Sequence, residues 1–439
     1  MLSKIKLFIN RFHEIFSTFN FSFKDSIKAM ITLIKNIKQL SGIQNDNSKL
    51  KLAGKEMGIL TTIENAFLLI ENETIKSFGK MENLPEIVCD KTIDASGKVV
   101  LPTWCDSHTH LVFAGTRETE FVDRINGLTY EEVAARGGGI LNSAKRLQHA
   151  TEEELYQAAW NRLDEIKSMG TGAVEIKSGY GLSLDAELKI LRVIKRLKAE
   201  SDLTIKATFL GAHAVPPEFK GDKDGYLDML INEVLPIIHE EKLADYIDIF
   251  CETNYFTVAD AERIMEAGAK YDLIPKIHVN QFTSIGGIQA GIKHKALSLD
   301  HLEVMTDEDI AALHDSETMP TALPSCSFFL KIPFAPVRKM IDQGLAIALA
   351  TDYNPGSTPS GKIPFVISLA CIYQRLTPEE AINAVTMNSA YAMGISDSHG
   401  SITVGKKANL IITKEISSYN FIPYSFGGNH IEQVILNGK

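Results

Sequence analysis

The sequence predicts an α/β fold: a distorted (β/α)8 TIM-like barrel with a composite β-sandwich domain built from both chain ends. Three observations predict it. Strand-like runs in the middle of the chain (AVEIK, TIKATFLGAHA, YIDIFCE, PKIHVN, ALSLDH, LAIALATD) alternate with helical patterns, which implies a parallel sheet. His108 and Asp352 are separated by about 250 residues, the usual length of an eight-stranded barrel from first strand to last. Both flanks read instead as short strands punctuated by Gly, Asn and Asp.

At 439 residues the chain has room for one large and one smaller domain. A net charge of -10 argues against general binding to nucleic acid or to an anionic membrane, since both need basic surface. It leaves a small-molecule substrate open. The five cysteines, Cys89, Cys105, Cys251, Cys326 and Cys371, are odd in number and scattered, which points to reduced thiols and a cytoplasmic location. No run of about 18 uncharged apolar residues is present, so no spanning helix is expected.

In residues 1–29, Phe8, Phe12, Phe16 and Phe19 recur at helical spacing among Lys4, Lys6, Arg11, Lys24 and Lys28, the pattern of a short amphipathic helix. Arg11, His13 and Glu14 interrupt its apolar residues and no small-residue cleavage site follows, unlike a secretory signal. It reads either as a docking or membrane-surface helix or as an upstream extension. The second reading is preferred, because Met30 immediately precedes a clean strand pattern. Deleting residues 1–29 is therefore expected to leave folding and turnover intact, which a comparison of kcat between the two chains checks.

Residues 30–100 carry the runs ITLIKNI, MGILTTI, NAFLLIE, TIKSFG and TIDASGKVV, the first part of the sandwich. Residues 400–439 (GSITVGKKANLIIT, then HIEQVILNGK) supply the second part. Residues 101–399 between them form the barrel, with DAELKILRVIKRLKAE and VADAERIMEAGAKYD as its clearest helices. The run KVVLP leads into the first barrel strand, which His108 and His110 are expected to end.

In LPTWCDSHTHLVFAGTR, His108 and His110 stand two positions apart, so on a strand both imidazoles face one way. Alone this motif is weak, because two unrelated polar residues on an exposed strand would look the same. His278, His301 and Asp352 also fall at strand ends, where a barrel keeps its chemistry. A lone strand-end His is more often a hydrogen-bonded structural residue, and a lone Asp often caps the next helix. Five such residues at one end of a barrel share that explanation poorly. Three His and a carboxylate suit one zinc or iron(II) ion. Such an ion lowers the pKa of a bound water toward about 7, and Asp352 beside that water could take and pass on its proton.

The motifs HTHLVFAGTR (108–117), EIKSGYGL (175–182), TFLGAHAVPPE (208–218), HVNQF (278–282), LDHLE (299–303) and ATDYNPGS (350–357) complete the picture. Across roughly Met30–Lys439 the chain resembles the imidazolonepropionases, an amidohydrolase family of histidine degradation. HTH names only the superfamily; SGYG, GAHAVPPE and DxNPGS narrow it. The resemblance implies hydrolysis of the cyclic amide of 4-imidazolone-5-propanoate to N-formimidoyl-L-glutamate. It implies one divalent metal, zinc or iron, held by His108, His110, His278 and Asp352. Asp352 would act as general base, and His301 would polarise the ring carbonyl or assist proton transfer. Arg117 would pair with the tail carboxylate, since guanidinium matches carboxylate in a two-bond fork. Tyr180, His213, Asn354, Gly356 and Ser357 would bind substrate or product. Many relatives carry Glu at the position of Gln281, so Gln281 is given a binding role only. Lys177, which some amidohydrolases carbamylate to bridge two metals, is expected to be structural here or to support a ligand. A homodimer is allowed, and neither nucleic acid nor membrane is an expected partner. Two other readings remain open: another amidohydrolase, such as a deaminase, or a non-catalytic scaffold of this fold. Arg117, SGYG and DxNPGS speak against the first, and the presence of all four expected ligands against the second.

Overall fold

The computed structural model describes residues 29–128, 132 and 138–439. The helix expected within residues 1–29 lies outside them. Among the described residues no helix is long and apolar enough to cross a membrane.

The chain begins with β1 (Ile31–Ser41), β2 (Thr62–Glu71) and β3 (Thr74–Lys80), an antiparallel meander. Next, β4 (Lys91–Asp94) lies parallel to the first half of β1, and β5 (Lys98–Pro102) to its second half. After the barrel, β14 (Leu410–Glu415) pairs antiparallel with β5, and β15 (Ile431–Ile435) pairs with β14. The resulting seven-stranded sheet joins both chain ends. It curls until Thr74 of β3 bridges Lys407, just before β14. Alternate residues, among them Ile34, Leu40, Leu68, Ile70, Val100, Leu410 and Ile412, turn inward to one apolar core.

Two expected elements differ here. MGILTTI is not a strand: Gly54–Gly58 form a 3₁₀ turn and β2 starts at Thr62. The carbonyls of Met57 and Ile59 are taken by the Asn383 amide at 2.8 and 3.1 Å instead of by a neighbouring strand. KVVLP is β5 of the curled sheet and does not open the barrel. The chain changes sheets over two residues: Thr103 N donates to Asn409 O at 3.0 Å, and Trp104 N to Gly170 O at 2.9 Å.

The barrel strands are β6 (Trp104–Asp106), β7 (Thr171–Lys177), β8 (Thr204–Ala212), β9 (Tyr246–Cys251), β10 (Ile274–Val279), β11 (Ser298–His301), β12 (Met319–Ala322) and β13 (Ala348–Leu349). They are parallel and lie in chain order. Between β13 and β6 the seam is closed by residues just beyond the strands. Thr109 bridges Tyr353 in parallel, His110 N donates to Tyr353 O at 2.9 Å, and Asp352 N donates to His108 O at 3.0 Å. Closing the barrel thus brings Asp352 to His108 and His110, although it lies far from them in sequence.

Around the barrel the helices Leu184–Glu200 and Val258–Ala269 begin at Ser183 and Thr257, whose side chains accept the backbone N–H groups of Ala186 and Asp260. Their apolar faces, including Leu188, Leu191, Ile194, Ile264 and Met265, pack onto the strands in the main core. The barrel interior is not wholly apolar. Glu175, Lys177, Asp248, Lys276 and Asp300, on β7, β9, β10 and β11, are buried.

Candidate active site

His108 and His110 follow β6, His278 lies near the end of β10, His301 ends β11, and Asp352 follows β13. All five are buried. Nε2 of His108 and Nε2 of His110 each lie 3.6 Å from Asp352 Oδ1. His278 Nε2 is 3.4 Å from His110 Nε2. The His301 ring centroid is 5.2 Å from that of His278.

These separations fit a metal ion. Donors on a tetrahedral ion, at bonds of about 2.0–2.2 Å, stand roughly 3.4 Å apart. His108 Nε2 is buried with no hydrogen-bond partner, a cost that a ligand lone pair directed at a cation removes. Burial first, and neighbouring cationic groups second, hold His108, His110 and His278 well below the ordinary imidazole pKa. All three are therefore neutral, the form that coordinates metal. Burial pushes Asp352 up, against the opposing pull of His301 and of hydrogen bonds from Ser357 and Asn354.

Behind two of the imidazoles stand carboxylates that were not singled out from the sequence. Asp300 Oδ2 lies 2.7 Å from His108 Nδ1, and Asp248 Oδ2 lies 2.9 Å from His278 Nδ1. At His108 this acceptor puts the ring proton on Nδ1 and leaves Nε2 free to coordinate, whereas His278 Nδ1 is close to Asp248 without a hydrogen bond. Lys177 Nζ ties the two acids together, at 2.9 Å from Asp248 and 3.5 Å from Asp300, with Glu175 at 2.6 Å. Burial opposes the charge of Lys177, but Asp248, Glu175 and Asp300 outweigh it and raise its pKa. Lys177 thus stands as the counter-ion of three buried carboxylates. The available signal was a charged residue inside an apolar strand run, Asp248 in YIDIFC and Asp300 in SLDH.

His301 sits at φ +90° and Asp352 at φ +58°. The left-handed region is unfavourable for side chains with a Cβ, and such positions gather at functional sites. Burial lowers the His301 pKa, but Glu303, whose Oε1 lies 3.5 Å from Nδ1, together with Asp352 and Asp300 more than compensates, and the imidazole is held above its ordinary value.

Arg117 donates from Nε to Ser143 Oγ at 2.8 Å, while its Nη2 is buried without a partner. Its guanidinium lies 5.8 Å from the Tyr180 ring centroid. A Cβ at Gly356 would stand 2.5 Å from Arg117 Nη1, so only glycine leaves room for this approach. Tyr180 meets His110 and His213 edge-on, at centroid distances of 5.5 and 5.4 Å. His213 stacks on His110, its Nδ1 is 3.0 Å from Gly179 O, and burial lowers its pKa to about 4. The loop is gripped from beneath by Glu187, which accepts N–H bonds from Gly179, Gly181 and Leu182 at 2.9, 2.7 and 3.0 Å. In Glu187→Gln one of the two accepting oxygens becomes an NH₂ turned toward backbone N–H groups, which is expected to raise KM by about tenfold and to lower the melting temperature. Steady-state kinetics and melting curves check both effects.

The remaining expected residues divide. Ser357 Oγ donates to Asp352 Oδ2 at 3.0 Å. Asn354 spends its side chain locally, accepting from the N–H groups of Gly356 and Ser357 at 2.8 Å each and donating to Asp352 O at 2.7 Å. It builds the turn and presents no free side-chain donor. Gln281 donates to Cys326 Sγ at 3.5 Å, beside the thiol's contacts with Asp352 and Ser357.

Residues 122–423 match the Amidohydrolase family. The chain is 62% identical over 410 residues to "Imidazolonepropionase" of Flavobacterium johnsoniae, covering 93% of this chain and 100% of that protein. Among solved structures, a guanine deaminase from C. acetobutylicum with bound guanine superposes with a TM-score of 0.67 at 14% identity, covering 93% of this chain and 99% of that one. An adenosine deaminase from Xanthomonas campestris with bound zinc gives 0.65 at 14% identity, with coverages of 93% and 92%. These two likenesses carry the fold: a parallel barrel with a separate sheet.

Proposed function

The chain belongs to the imidazolonepropionase family of amidohydrolases, and from that premise we propose that it opens the ring of 4-imidazolone-5-propanoate in histidine degradation. The product is N-formimidoyl-L-glutamate. The observation that carries the reading is the convergence of His108, His110, His278 and Asp352, with the partnerless His108 Nε2 among them.

Those four residues are the proposed holders of one divalent metal, zinc or iron. When bound, it supplies a Lewis acid and lowers the pKa of water so that a nucleophile exists at neutral pH. The chain's residues do the rest. Asp352 takes a proton from the attacking water and delivers it to the ring nitrogen as the C–N bond breaks. Its burial-raised pKa suits a group that must both accept and release that proton. His301, held toward its protonated form by Glu303, Asp352 and Asp300, donates to the carbonyl oxygen as negative charge develops there. Arg117 offers its free Nη2 to the propionate tail. Tyr180 and His213 wall the ring, and Gln281 bonds a ring nitrogen. Asn354, Gly356 and Ser357 shape the other side, Gly356 by leaving space and Ser357 by fixing Asp352. The five free cysteines agree with reaction in the cytoplasm.

Arg117→Ala is expected to raise KM about 10- to 100-fold with a smaller change in kcat, as for loss of a charge-assisted bond made in ground and transition state alike. An unchanged KM would assign the tail to another residue. The function is tested by following the loss of imidazolone propionate absorbance with metal-depleted and metal-restored protein, with guanine, cytosine and dihydroorotate as alternative substrates. Turnover of one of those, and none of imidazolone propionate, would overturn it.

A further inference from the structure

A second donor set at this end of the barrel uses none of the four proposed ligands. A ring nitrogen of His301, a carboxylate oxygen of Glu303 and Sγ of Cys326 all lie within 4.8 Å of one another, and all three residues are buried. Glu303 Oε1 accepts from Ser327 Oγ at 3.1 Å and lies 3.5 Å from His301 Nδ1. Glu303 Oε2 is buried with no partner. Positive φ at His301 (+90°) and Leu302 (+69°) folds the chain back so that Glu303 reaches the imidazole two residues before it. Cys326 is brought in by the helix Pro324–Leu330, which follows β12.

We propose that His301, Glu303 and Cys326 form a second cation site, for zinc or another thiophilic divalent ion, whose occupation inhibits hydrolysis. Imidazole, carboxylate and thiolate are the three donor types that zinc accepts most readily. The 3.5 Å between His301 and Glu303 already matches the donor spacing of a tetrahedral ion, roughly 3.4 Å. Charge closes as well: one thiolate and one carboxylate balance a divalent ion, so no net charge is buried. Coordination displaces the proton on Cys326 and the proton on His301, both to solvent. With Nδ1 on the ion, the His301 imidazole is held to Glu303 and Cys326 and cannot turn to the developing oxyanion. The inhibition therefore rests on the role proposed above for His301; the occupancy does not.

The discriminating experiment dialyses the full, metal-loaded chain against rising cobalt(II), and in parallel zinc, and reads bound metal, near-ultraviolet absorption and turnover together. The expected result is a second equivalent of cobalt, a sulfur-to-cobalt charge-transfer band, and loss of turnover in proportion to that equivalent. Cys326→Ala should keep turnover, bind one equivalent, show no band and resist excess zinc; Cys326→Ser serves if the alanine variant folds poorly. One equivalent only in the parent chain would mean that Glu303 merely balances His301, and overturns the site. So would a second equivalent that survives in the Cys326 variants. A second equivalent with its band but undiminished turnover overturns the inhibition and the assignment of His301, while hydrolysis of imidazolone propionate itself stands.

Discussion

Asp352→Asn is expected to lower kcat by a factor on the order of 10³ or more while the chain stays folded. The substitution isolates chemistry from shape. Asparagine tolerates the left-handed backbone almost as well as aspartate, so the φ of +58° at this position adds little new strain. Its amide oxygen can still accept the Ser357 hydroxyl, which donates to Oδ2 at 3.0 Å. The seam bond from the residue's own N–H to His108 O, at 3.0 Å, is untouched. What disappears is the negative charge facing His108 and His110 and the ability to accept a proton. Both losses fall on the reacting step, so single-turnover rates should drop as far as kcat does. Metal content measured on the same sample separates the two causes: a variant that keeps its metal and loses its rate lacks the proton carrier. Near-normal kcat would remove Asp352 from the mechanism.

The pattern of strand and helix made the barrel legible, because a parallel sheet covered on both faces writes long apolar runs that alternate with amphipathic helices. The strand missing from that reading was β12, Met319–Ala322. Pro320 lies inside it, and proline within a short run ordinarily argues against a strand. The imidazoles were legible as a motif but were placed on the wrong support. They do not end an extended strand begun by KVVLP; they occupy the barrel seam, held by backbone bonds to Asp352 and Tyr353 that no local pattern announces. Asp248, Asp300 and Glu187 went unread for a related reason. Each acts on a partner far away in the fold or through backbone N–H groups, and each looks locally ordinary. Glu187 in particular sits in the first turn of its helix, where an acid is favourable on electrostatic grounds alone.

Asp300→Asn is expected to weaken metal affinity by about 10- to 100-fold, although Asp300 is not among the proposed ligands. Asp300 accepts from Ser298 Oγ at 2.6 Å and sits 2.7 Å from His108 Nδ1. Burial disfavours its charge, but Lys276 and Lys177 overcome that and hold it ionised. As a carboxylate it can only accept, which fixes the His108 proton on Nδ1 and leaves the Nε2 lone pair free. An asparagine can present its NH₂ group instead, and the imidazole then answers by moving its proton to Nε2, where it blocks coordination. The signature is a protein that loses metal on dialysis yet regains kcat at high metal, with KM for the substrate little changed. Stability should fall as well, by about 3 kcal/mol, since Lys177 would keep only Glu175 and Asp248 as buried counter-charges. Melting curves taken with and without metal distinguish the two contributions. A lower melting temperature with unaltered metal retention would confine Asp300 to balancing the lysines, and the orientation of His108 would then have to come from the barrel seam alone.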